Sequence, residues 1–296
     1  MNVLIQFILT MRPAQWVKNL FVAAPVLFAK VHTAENPWLM LQALQALVVF
    51  ILLSGAVYVM NDVLDAERDR QHPVRRLRPI PSGRLEVKAA VVGALVVLGL
   101  AYTIGFGLGG PFMMTATGYL LLNVAYSLTL KHIAYVDVLC IASGFLMRIL
   151  AGCFAIALPL AEISWYLLLC TFLVALFLAL GKRRHELATL PGDSANHRPV
   201  FDQYQLRHID IGLGIVGAIT MAAYVFYTLS PRTQQYFGTS RLVWTVPFVC
   251  LGLLRFFQLL RRPDELRSPT DVMIRDVWFV LIILAWASAV AWAIYL

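Results

Sequence analysis

Long apolar stretches alternate with short polar segments along the whole chain. Nine stretches are candidates for the roughly 20 mostly apolar residues that carry a helix across a hydrocarbon core. They are residues 14–31, 39–60, 87–107, 111–130, 135–157, 163–181, 208–229, 242–260 and 275–296. The first is short, and Pro25 interrupts it. Inside a bilayer the backbone must satisfy its own hydrogen bonds, so only helices or closed barrels span it. These stretches are about twice the length of a membrane strand. The pattern therefore predicts an all-α, polytopic membrane helical bundle of about nine transmembrane helices, read as one membrane domain over 1–296. Residues 1–10 carry no charge before Met11-Arg12-Pro13, so a cleaved signal peptide is not expected.

Composition agrees with this picture. Of 296 residues 60% are hydrophobic and only 14% charged, against about a quarter charged in soluble domains. The basic residues gather in alternate loops. Residues 61–86 hold Arg68, Arg70, Arg75, Arg76, Arg78 and Arg84. Residues 182–207 hold Lys182, Arg183, Arg184, Arg198 and Arg207, and residues 261–275 hold Arg261, Arg262, Arg267 and Arg275. Arg12, Lys18 and Lys131 fall on the same side, and the other keeps Lys30, Arg232 and Arg241. The positive-inside bias places the rich side in the cytoplasm of an inner membrane. Anionic headgroups account for the net charge of +8, so nucleic acid is not an expected partner. Cys140, Cys153, Cys170 and Cys250 all lie in apolar stretches without CxxC spacing, and read as small buried hydrophobes.

The sharpest polar feature is Asn61-Asp62-Val63-Leu64-Asp65-Ala66-Glu67-Arg68-Asp69-Arg70, directly after the second stretch. On a helix turning about 100° per residue, with Asn61 at zero, Asp65 falls near ~40°, Tyr58 near ~60°, Asp69 near ~80° and Asp62 near ~100°. Glu67 and Arg70 fall on the far side. One face thus presents an amide and three carboxylates at the membrane surface. Oxygen-only ligands select hard ions, and Mg²⁺ commonly bridges one or two carboxylates to substrate phosphates. Asn61, Asp62, Asp65 and Asp69 are therefore candidate metal ligands. A solvated acidic helix end balancing nearby arginines is the plainer reading. Pro73 ends the helix, and an extended loop follows in which Arg75, Arg76 and Arg78 stand between prolines, as candidates for bidentate phosphate contacts or simply as topology signals.

Asn61-Asp-x-x-Asp65-x-x-x-Asp69 at the end of the second of nine helices resembles the first Asp-rich motif of the UbiA superfamily of intramembrane prenyltransferases. Arg12-Pro-x-Gln-Trp-x-Lys18-Asn19, His72-Pro-x-x-Arg76-x-Arg78-Pro79-Ile80, Tyr126-Ser-x-x-Leu-Lys131 and Gly181-Lys182-Arg183-Arg184-x-Glu186-Leu187 resemble its decaprenyl-phosphate phosphoribosyltransferase branch. The resemblance covers essentially the whole chain. It implies transfer of 5-phosphoribose from phosphoribosyl diphosphate (PRPP) to a polyprenyl (decaprenyl) phosphate, with Mg²⁺ as cofactor, yielding a precursor of cell-wall arabinan donors. Where prenyltransferases carry a second Asp-rich motif after the sixth helix, this chain reads Gly181-Lys-Arg-Arg-His-Glu-Leu-Ala-Thr-Leu-Pro-Gly192. That exchange suits a site that holds more phosphate, with Lys182, Arg183 and Arg184 as neutralising cations.

Softer candidates complete the set. Lys18, Tyr58, Lys131 and Glu186 are candidate substrate contacts, as is Tyr126, which also reads as an interfacial anchor. Trp16, Trp165 and Trp244 read as anchors too. Arg148 lies eleven residues past Asp137, about 16 Å along its helix, where a charge usually faces a cavity or a partner. Asp202, Asp210, Asp271 and Arg275 have no assigned role. The implied chemistry is departure of pyrophosphate, its charge met through Asn61, Asp65 and Asp69, and attack on ribose C1 by a lipid phosphate that is already anionic and needs no general base. Loops 61–86 and 182–207 are expected to face the cytoplasm and form one cavity mouth. Prenyl transfer to an aromatic acceptor, an anionic-lipid transporter and a membrane scaffold are the competing readings; homo-oligomerisation stays open.

Overall fold

The computed structural model describes residues 2–29, 36–188, 203–261, 272–273 and 275–295. Lys30, Arg198, Asp202, Arg262, Arg267 and Asp271 lie outside the described residues. The described residues are helical, with no strand among them. In chain order the α-helices are α1 (Val3–Thr10), α2 (Leu20–Phe28), α3 (Trp38–Leu64), α4 (Ala66–Gln71), α5 (Val87–Phe106), α6 (Gly110–Leu128) and α7 (Val136–Ala155). Then follow α8 (Trp165–Ala188), α9 (Leu206–Leu229), α10 (Pro231–Phe237), α11 (Val246–Leu260) and α12 (Val277–Tyr295). The chain is a multi-pass membrane protein.

Seven of the described helical segments are long and apolar enough to cross a membrane: Trp38–Leu64, Val87–Phe106, Val136–Ala155, Trp165–Ala188, Leu206–Leu229, Arg241–Leu260 and Val277–Tyr295. Two of the nine expected spans fall short. Candidate 14–31 becomes a 3-10 turn, Pro13–Asn19, followed by the nine-residue α2 with Pro25 inside it. At 1.5 Å per residue α2 is only about 14 Å long. Candidate 111–130 does form α6, of 19 residues, but its polar residues lower its hydropathy. Those groups are satisfied internally: Thr115 donates to the Pro111 carbonyl, Asn123 to Tyr119 and Ser127 to Asn123, and Thr117 bonds Tyr102.

The chain divides into two compact units. The first comprises Met1–Lys131 and Ser143–Ile163, the second His132–Ala142 and Ser164–Leu296. In the first, α3 packs against α2, α5 and α6. Phe50, Leu53, Ala101, Phe112 and Ala151 fill its middle. Gly152 allows the closest approach, since a Cβ there would meet the Val22 carbonyl oxygen at 2.0 Å. In the second, α8 packs on α9 and α11 on α12, around Phe177, Leu213 and Phe256.

Candidate functional site

The carboxylate segment occupies the end of α3 and the start of α4. Asp65 breaks the helix, with φ −93° and ψ 3°. The helical phase survives the break, because the Asp65 N–H donates to the Asn61 carbonyl at 2.9 Å and the Asp69 N–H to the Asp65 carbonyl at 2.8 Å. Asp62 and Asp69 therefore turn inward together, 2% and 0% exposed, while Asp65 and Asn61 are half-buried. Glu67 and Arg70 lie on the exposed side and pair with each other at 2.7 Å.

Each carboxylate meets a cation. Arg12 Nη2 donates to Asp62 Oδ1 at 2.5 Å. Arg78 Nη1 bridges Asp62 Oδ1 at 3.2 Å and Asp69 Oδ2 at 2.6 Å. Arg75 Nη1 stands 3.6 Å from Asp69 Oδ1, an oxygen that is buried without a hydrogen bond. Lys131 Nζ contacts both oxygens of Asp65, at 3.2 and 3.4 Å. Mutual carboxylate repulsion is thus relieved by four basic side chains from three separate segments.

Local backbone chemistry aims those cations. Arg12 adopts φ 55°, ψ 70°, a left-handed conformation rare for a side-chain-bearing residue. From there its guanidinium lies 4.9 Å over the Tyr58 ring and reaches Asp62. Downstream, His72 is extended, as the residue before a proline should be. Its Nδ1 accepts the Val74 and Arg75 N–H groups at 3.2 and 3.3 Å. Burial, reinforced by the Arg75 cation, pushes the imidazole below its usual pKa, which keeps that nitrogen an acceptor. The expected extended loop is instead a run of turns containing a 3-10 turn, Arg75–Leu77. Local N–H groups close on nearby carbonyls, including Arg78 on Arg75. Arg75 and Arg78 are turned inward, and Arg76 is exposed. Lys18 and Tyr126 are half-buried in the same unit.

Farther along α7, Arg148 is 7% exposed. It donates to Asn19 Oδ1 at 3.0 Å, the Gly144 carbonyl at 3.0 Å and Tyr119 Oη at 2.8 Å. Arg148 stands out in the sequence as a deep charge, whereas the roles of Asn19 and Tyr119 emerge only in the fold, and Arg12 shows in the sequence only as a topology and motif residue. The one available signal for Arg12 and Asn19 was their place in the Arg12–Asn19 motif.

In the second unit the basic residues at 182–184 are individually matched. Arg183, 2% exposed, donates through Nε to Asp137 Oδ2 at 2.7 Å and through Nη1 to Glu186. Asp137 also accepts the Tyr204 hydroxyl and the Val138 N–H. Burial, then the bond to Asp137, push the Tyr204 hydroxyl above its usual pKa. Arg184 pairs with Asp210 at 2.5 Å and donates to the Leu260 carbonyl. Lys182 stands 3.9 Å from Glu186. Consecutive helical residues point about 100° apart, so the three side chains reach different partners. Asp210 thereby gains a role, Asp137 is a buried acid the sequence left unassigned, and Arg275 is exposed.

Among the described residues no three His, Cys, Asp or Glu side chains converge to chelate one ion by themselves. The oxygen donors of Asn61, Asp65 and Asp69 nevertheless suit Mg²⁺, which needs only one or two carboxylates when phosphates supply the rest. The buried Asp69 Oδ1 is an acceptor without a hydrogen-bond donor.

A model of the UbiA prenyltransferase family matches residues 19–273. A decaprenyl-phosphate phosphoribosyltransferase from Mycobacterium tuberculosis is 31% identical over 301 residues, covering 99% of this chain and 95% of that protein. One from Corynebacterium glutamicum is 29% identical over 290 residues, covering 97% and 86%. Among solved structures, a UbiA homolog from Archaeoglobus fulgidus bound to GPP and Mg²⁺ superposes with a TM-score of 0.71 at 16% identity, over 98% of this chain and all of that one. A digeranylgeranylglyceryl phosphate synthase gives 0.68 at 15%, over 100% of both.

Proposed function

The chain belongs to the UbiA prenyltransferase family, and from that membership we propose that it transfers 5-phosphoribose from PRPP to a polyprenyl phosphate, releasing pyrophosphate. The near full-length similarity to decaprenyl-phosphate phosphoribosyltransferases supports the substrate pair. The observation that carries the reading is the double character of the first unit's polar cluster. Asn61, Asp65 and Asp69 offer oxygens to a hard cation, while Arg12, Arg75, Arg78 and Lys131 offer N–H donors to phosphate within the same few ångströms.

Asn61, Asp65 and Asp69 are the residues that would hold Mg²⁺, and Mg²⁺ bound there would neutralise charge on the departing diphosphate. Asp62, gripped by Arg12 and Arg78, orients these two arginines. Arg75, Arg78 and Lys131 exchange carboxylate for phosphate oxygens as the donor enters, and charge-assisted bonds to either acceptor are of similar strength. Exposed Arg76, with Lys18, Tyr58 and Tyr126, lines the approach for substrate. As the diphosphate leaves, ribose C1 gains positive character and the lipid phosphate oxygen bonds to it. No side chain has to remove a proton. Arg183 and Arg184 hold their own unit together, and Lys182 with Glu186 supplies the basic end that replaces a second acidic motif.

The test is direct. Purified protein with Mg²⁺ and polyprenyl phosphate releases pyrophosphate from PRPP and forms a phosphoribosylated lipid. A prenylated aromatic product from prenyl diphosphate, with PRPP untouched, overturns the reading.

A further inference from the structure

A buried guanidinium normally has a carboxylate beside it, because an isolated charge in a low-dielectric interior is costly. Arg148 has none. Its three hydrogen bonds go to neutral acceptors, Asn19, Gly144 and Tyr119, and the rings of Tyr119 and Phe145 lie 4.7 and 5.3 Å from its central carbon. The described aspartates, Asp62, Asp65, Asp69, Asp137, Asp210 and Asp276, each have a cation other than Arg148. A guanidinium carries five N–H donors, so two on Arg148 are left over after these bonds.

The surroundings are built to hold that charge in one orientation. Asn19 is fixed from behind, its amide donating to Ser54 Oγ at 2.9 Å, while Ser54 donates to the Ile51 carbonyl at 3.2 Å. With its carbonyl thus directed at Arg148 Nε and Tyr119 Oη at Nη2, the guanidinium is locked without being neutralised. Arg148 belongs to the same unit as the carboxylate cluster.

We propose that Arg148 is the receptor for a phosphate-monoester oxyanion, taken either from the headgroup of the lipid acceptor or from the 5-phosphate of the donor. The identity of the anion rests on the phosphoribosyl-transfer reading; the existence of an oxyanion site rests on the surroundings of Arg148 alone.

Two variants of the full-length protein in detergent test this. Asn19→Asp replaces an amide by a carboxylate of the same shape and gives Arg148 an internal counter-ion. It should unfold at no lower temperature than wild type, yet its dissociation constant for polyprenyl phosphate or for PRPP should rise at least about tenfold. A rise confined to the lipid identifies the acceptor phosphate as the occupant; a rise confined to PRPP identifies the donor's. Arg148→Lys keeps the charge but loses the fork, and should raise the same constant. If Arg148 merely braces helices, both constants stay within about twofold of wild type in Asn19→Asp, and that overturns the proposal. Should Asn19→Asp fail to fold, unchanged constants in Arg148→Lys overturn it equally. Inorganic phosphate separates this proposal from the functional reading. If neither PRPP nor polyprenyl phosphate binds wild type, that reading fails, yet thermal stabilisation by phosphate that Asn19→Asp loses still supports the site. Equal stabilisation of both proteins, or of neither, overturns it.

Discussion

At the scale of single residues, the three carboxylates are not equivalent, although they share one helical face. Asp65 is half-exposed and contacts only Lys131, whereas Asp69 is fully buried and shares Arg78 with Asp62. Asp65→Asn keeps an acceptor for Lys131 and should cost about 1 kcal/mol of stability. Asp69→Asn weakens the contacts of half-buried Arg78 and Arg75 at a fully buried position and should cost about 2 kcal/mol. Turnover should fall by on the order of a hundredfold in both, the scale of losing one charge-stabilising group. Unfolding curves measured beside pyrophosphate release separate the two effects. Near wild-type turnover in a well-folded Asp65→Asn protein would remove Asp65 from the metal set.

At the scale of elements, two local devices hold the chain where the chemistry needs it. The turn after α4 depends on a neutral His72 accepting two backbone N–H groups. Its pKa is depressed in the fold, so its contribution is complete above the unfolded value of about 6.5 and is lost as pH falls through the lower folded value. Hydrogen exchange at the Val74 and Arg75 amides should stay protected at neutral pH and lose protection on acidification; His72→Ala should lose it at every pH. Protection that ignores both pH and the substitution contradicts this. The second device is the Asp137–Arg183–Tyr204 network, joining the start of α7, the end of α8 and the segment before α9. Arg183→Ala strands a buried carboxylate and should destabilise by about 3–5 kcal/mol. Arg184→Ala, whose partner Asp210 is 46% exposed, should cost about 1 kcal/mol or less. Denaturant titration of the two proteins gives the comparison; equal losses would refute the distinction between clamp and surface pair.

At the scale of the whole molecule, the bias of lysine and arginine predicts which loops face the cytoplasm. In a background lacking the four native cysteines, Arg76→Cys and Lys182→Cys should each react with an impermeant thiol reagent only from the cytoplasmic side. Labelling of either from the opposite side breaks the topology. Seven described helical segments are long and apolar enough to cross, while α2 is short and α6 more polar, so apolar run length alone does not fix the number of crossings. Apolar run length says nothing of the 3-10 turn that consumes residues 13–19, nor of the polar groups that α6 satisfies within and beside itself.

Much of this was legible in the chain without its fold. Apolar runs twice strand length admit only helices, and the i, i+1, i+4 and i+8 spacing of Asn61, Asp62, Asp65 and Asp69 puts them on one face because helical phase is a local property, preserved even through the break at Asp65. Charge pairing was not legible, because it depends on which side chains from distant segments meet. Nothing in Lys182-Arg183-Arg184 says that Arg183 turns inward to Asp137, 46 positions away, while Arg184 turns to Asp210. Nothing in the motif around Arg12 says that a left-handed backbone aims it at Asp62. The burial of Arg148 without an acid beside it is likewise a property of packing. A sequence lists the charges, but their partners, and therefore which of them remain free to meet a substrate, are set only when the helices come together.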